Sequence, residues 1–76
     1  MSQLFDFTVV LEPQPEGGFT VRVPTLPEVV TEGDTEADAL AMAEEAMRMA
    51  LSYRLENGIA ISPDVPPTLR EVTVTA

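Results

Sequence analysis

The chain has no cysteine, no histidine, no tryptophan and no lysine; its only cations are Arg22, Arg48, Arg54 and Arg70. Each absence removes a class of chemistry. Without cysteine there is no disulfide, no thiol nucleophile and no thiolate metal site. Without histidine there is no imidazole for acid–base work, and a zinc or iron site would need carboxylates alone. Without lysine there is no Schiff base. Against 4 basic side chains stand 13 acidic ones, a net charge of −9. Phosphate-binding surfaces are basic, so this balance points away from direct nucleic-acid binding and toward a basic partner or simple solubility.

Long apolar runs are also missing. The longest is Ala39 to Ala43, far short of a membrane span. Met1 to Asp6 has neither a basic n-region nor an apolar h-region, so no signal peptide is expected and a cytoplasmic domain is the default. At 76 residues, one domain covering 1–76 is expected. Folding would leave about 4,500 Å² of surface out of about 11,900 Å², so roughly 60% is buried. So small a core usually needs a supplement. With disulfides absent and metal sites disfavoured, oligomerisation remains, and a homodimer or homotetramer is expected.

What is present reads as β-β-β-α-β. Leu4 to Leu11 (LFDFTVVL) alternates, with Phe5, Phe7, Val9 and Leu11 on one face. After a loop with Pro13, Pro15 and Gly17-Gly18, Phe19 to Val23 alternates again, which predicts a β-hairpin. Pro24-Thr25-Leu26-Pro27 breaks the second strand. Glu28 to Thr31 reads as a third strand, closed by a turn at Gly33-Asp34-Thr35. Thr35 is the expected N-cap, with Asp34 as the alternative and Asp38 at capping-box spacing. The helix should run from Glu36 to about Asn57, stopping at Gly58. Ser62 to Pro67 is a stiff connector, and Glu71 to Thr75 alternates as a final strand. The expectation is an α+β fold with one long helix on a small mixed sheet.

That helix carries two apolar stripes. Leu40, Ala43, Met47 and Leu51 form one, and Met42, Ala46, Met49 and Tyr53 form the other. One sheet covers one stripe; the second predicts a contact with another chain. Three further features have the composition of a site. Glu32, Asp34, Glu36 and Asp38 could hold Mg²⁺, but they fit the helix-start rules. Asp6, with Glu44 and Glu45, would be the carboxylates of a metal nuclease, against a plain outer-face position for Asp6. Gly17-Gly18 lacks the following helix and lysine of a phosphate loop and fits a hairpin turn. No cofactor or catalytic residue is expected.

In order and spacing the chain resembles the HicB-like antitoxin family. The residues carrying the likeness are the hairpin from Phe7 to Val23 with Glu16-Gly17-Gly18-Phe19-Thr20-Val21, then Pro24-Thr25-Leu26-Pro27 and Val30-Thr31-Glu32-Gly33-Asp34-Thr35. Ala37, Ala39-Leu40, Asn57-Gly58 and Ile61-Ser62-Pro63 follow. Glu28 stands where the family often has glycine. The resemblance implies a partial RNase H-like fold and a non-catalytic antitoxin that binds and neutralises a small basic mRNA-cleaving toxin of the HicA type, or an orphan of that family. Many members carry a C-terminal DNA-binding segment. With Ala76 following the last predicted strand, none is expected here. A metal-dependent nuclease on a degenerate RNase H-like fold and a homo-oligomeric scaffold module are the alternatives.

Overall fold

Residues 4–76 are described by a computed structural model. Val10–Pro13 (β1), Phe19–Arg22 (β2) and Val30–Gly33 (β3) form a sheet in the order β1-β2-β3, and Glu36–Glu56 (α1) packs on it. Both pairings are antiparallel, with Val10 opposite Arg22 and Phe19 opposite Gly33. The fold is α+β with β-β-β-α order.

Three strand expectations shift. The first alternating run starts at Leu4, yet β1 starts at Val10. Its partner β2 ends at Arg22, just before Pro24, so residues before Val10 have nothing to pair with. Phe7, Val9 and Leu11 still pack against the core, and Phe5 stacks on Phe7 at 6.1 Å. The third strand lies at Val30–Gly33, not Glu28–Thr31, because Val29 is buried in the turn that precedes it. The largest departure is at the end. Glu71–Thr75 forms no strand, and Val72 and Val74 are each 80% exposed. Alternation alone makes no strand, because a ladder needs a partner for its N–H and C=O groups. Without that strand the sheet is purely antiparallel, not mixed.

The hairpin turns through Gly17 and Gly18, both at positive φ, where only glycine is unstrained. Gln14 N–H donates to the Gly18 carbonyl, so even-numbered residues of β1 exchange hydrogen bonds with β2. Pro13, at an odd position, places its missing N–H on the open edge, where no ladder bond is lost.

The core has two joined clusters. Val21, Ala39 and Ala43 form one; Val23, Leu26 and Val29 form the other. Met47 and Val9 touch both. Leu26 lies in the proline-flanked break yet is fully buried, its N–H bonded to the Val23 carbonyl. Small side chains let the helix approach closely. A Cβ on Gly33 would sit 2.7 Å from Ala39 Cα, and Thr31 Oγ1 donates to the Ala39 carbonyl at 3.3 Å.

Both helix ends are closed. Thr35 Oγ1 accepts from Asp38 N–H at 3.1 Å. At the other end Gly58 adopts φ +66°, its N–H bonding Leu55 O while Ile59 N–H bonds Arg54 O. That is a Schellman stop.

Candidate partner-binding surface

The helix buries one face and presents the rest. Ala39, Ala43, Ala46, Met47, Ala50 and Leu51 face the sheet and its flanking turn. Ala46 therefore leaves the predicted interface stripe: it is half-buried against the Val23–Leu26–Val29 cluster. A methyl side chain is what allows this helix turn to lie close to Leu26. Met42, Met49 and Tyr53 remain outside, 52%, 68% and 63% exposed. At 100° per residue they share one flank of the helix, and Asp38, Glu45 and Glu56 lie next to them on the solvent side.

Beside Met49 and Tyr53 a shallow groove of about 550 Å³ continues to Ala50, Ile59 and the Glu28–Arg54 pair. Arg54 grips Glu28 with two bonds, Nε to Oε2 at 2.9 Å and Nη2 to Oε1 at 2.8 Å. The Arg54 hydrogen bonds hold the Glu28 carboxyl below its ordinary range. So Glu28, which departs from the expected glycine, ties the turn before β3 to the last turn of the helix. The surface is apolar along one line and acidic beside it.

The other carboxylates spread around this frame. Glu12 pairs with Arg22 at 2.6 Å across the hairpin, and Glu44 with Arg48 at 3.0 Å along the helix. Glu16, Glu32 and Asp34 line a polar hollow between the hairpin turn and the start of the helix. Asp34 is exposed just before the cap, and Glu36 and Asp38 occupy the first helical turn. Asp6 and Glu44 line a separate cleft, whereas Glu45 does not reach it. Among the described residues no group of three or more carboxylates is arranged to hold a metal ion.

One site residue was not legible in the sequence. Asp64, in the proline-rich connector, accepts from Thr8 N–H at 3.0 Å, Thr8 Oγ1 at 2.7 Å and Thr25 Oγ1 at 3.1 Å. The Thr8 bonds, side chain first, lower its pKa, and Thr25 adds to the effect. It pins the connector to both the approach to β1 and the turn after β2. The only trace in the sequence is an acid between prolines and a threonine on an apolar strand.

No protein-family model matches the chain. Antitoxin HicB 1 of Photorhabdus laumondii is 43% identical over 51 residues, 67% of this chain and 33% of that protein. Antitoxin HicB of Escherichia coli K12 is 37% identical over 51 residues, 67% of this chain and 37% of that protein. Antitoxin HicB 2 of Photorhabdus laumondii is 43% identical over 42 residues, 55% of this chain and 30% of that protein. The chain spans about a third of the length of these curated relatives. Among the described residues no helix is long and apolar enough to cross a membrane. Over its matched residues, the chain belongs to the HicB-like antitoxin family.

Proposed function

We propose that this chain acts as a non-catalytic HicB-like antitoxin domain that binds and neutralises a small basic, mRNA-cleaving toxin of the HicA type. The observation that carries the reading is the 43% identity to a HicB antitoxin over two-thirds of the chain. The surface supplies a physical reason. Met42, Met49 and Tyr53 are the apolar anchors, of the residue types that dominate interface energetics. Asp38, Glu45 and Glu56 beside them match a basic ligand, and the net charge of −9 steers it inward. The partial RNase H-like relation belongs to the same proposal, with the sheet and helix as scaffold.

The test uses the full chain and a purified small basic toxin of the HicA type. RNA cleavage by that protein should stop when the chain is added at equimolar amounts, and the complex should weaken as salt rises. Tyr53→Ala with Met49→Ala should weaken inhibition at least tenfold while the helical spectrum is unchanged. Cleavage that continues at excess chain, with no complex detected, overturns the reading.

A further inference from the structure

Residues 69–75 pose a physical problem for the fold. Leu69, Val72 and Val74 are 83%, 80% and 80% exposed. The whole chain exposes 6071 Å². A folded monomer of this mass exposes about 4,500 Å². The difference, about 1,500 Å² per chain, exceeds the roughly 800 Å² that each partner contributes to a standard stable interface. The radius of gyration is 14.8 Å, with a longest dimension of 53 Å. A compact chain of this length would have about 11 Å.

The connector explains why residues 69–75 do not fold back. Asp64 is held by Thr8 and Thr25. Val65 and Pro66 then each precede a proline, and a residue before proline stays extended. The chain is therefore led outward. Residues 65–76 carry one cation, Arg70, and one anion, Glu71, so this segment is neutral in a chain of net charge −9. Docking it on another acidic copy adds little repulsion.

The receiving surface is present on the same molecule. β1 is an edge strand. Because its even-numbered residues bond β2, the N–H groups of Leu11 and, continuing the run, Val9 face the open edge. Near that run, a cleft of about 420 Å³ is lined by Leu4, Phe5, Phe7, Met47 and Leu51, with Asp6 and the Glu44–Arg48 pair on its rim.

We propose that residues 69–75 are a strand donated to a second copy of this chain, pairing along the open edge of β1. Val72 and Val74 then enter the cleft against Phe5, Phe7 and Leu51, and Arg70 meets Asp6, the rim carboxylate with no arginine beside it among the described residues. Reciprocal donation closes a two-fold dimer. The exchange does not depend on toxin binding, and its interface is separate from the Met42–Met49–Tyr53 flank.

Sedimentation and amide exchange on the full chain test this. The wild type should be a dimer at micromolar concentration, with slow exchange at Val9, Leu11, Val72 and Val74. Val72→Asp with Val74→Asp should weaken the dimer at least 100-fold and release those amides, with the helical spectrum retained. Thr73→Pro with Val74→Pro, which removes adjacent ladder donors, should do the same. A wild-type monomer up to 100 μM overturns the proposal, including a monomer whose amides at residues 69–75 are protected by its own β1. A dimer of unchanged affinity in both variants, or one broken only by Tyr53→Glu, also overturns it.

Discussion

At the scale of single residues, position in the packing matters more than residue type. Gly33 is at ordinary φ, so its importance comes from the nearness of the Ala39 backbone, not from turn geometry. Gly33→Ala should cost about 1–3 kcal/mol through forced separation of β3 and the helix, read as a lower urea midpoint. Asp64 gives a pH-dependent term with a definite sign. Its folded pKa is lowered by the bonds from Thr8 and Thr25. Its contribution is therefore present above the ordinary aspartate range and is lost as the pH falls through the lowered folded value. Glu28, lowered by Arg54, acts in the same direction. Asp64→Asn should reduce that loss between neutral and strongly acid pH, and should speed exchange of the Thr8 amide at pH 7. An unchanged Thr8 amide would show that the connector is held by something else.

At the scale of elements, the helix was readable in the sequence and the strands were readable as faces but not as spans. The helix is specified locally: good formers, a threonine cap and an Asn57-Gly58 stop all act within a few residues of one another. Its observed extent, Glu36–Glu56, differs by one residue from the expectation. Thr35→Ala removes the acceptor for the Asp38 N–H and should cost about 1 kcal/mol. That corresponds to a fall of about 4–8 °C in Tm for a domain of this size. The strands depend on partners far along the chain. Phe7 and Val9 share one face, as their alternation predicts, and that face meets the core, yet they lie outside β1 because β2 stops short of them. Ala46 moved from the outer stripe to the core for a related reason. Periodicity gives the angle of a side chain on a helix, but not how closely the facing layer approaches.

At the scale of the whole molecule, the open question is how so small a core is supplemented. Only six apolar residues are fully or nearly fully buried among those described. Removing one should be severe: Leu26→Ala should cost about 2–5 kcal/mol, much of a stability of about 5–15 kcal/mol. If a second copy completes the structure, Tm should rise with protein concentration, because association stabilises only the folded chain. A Tm constant over a hundredfold range of concentration would count against exchange.

The amino-acid sequence by itself determined the chemistry that is lacking, the acidity, the long capped helix, the hairpin and the likeness to HicB antitoxins. These follow from residue identity and from interactions over short spans of chain. Tertiary structure decided which alternating segments became strands, that Leu26 fills the core, that Asp64 ties the connector to two distant threonines, and that Val72 and Val74 are left uncovered. Those outcomes depend on partners distant in the chain, and a strand or a buried side chain is defined by what lies opposite it.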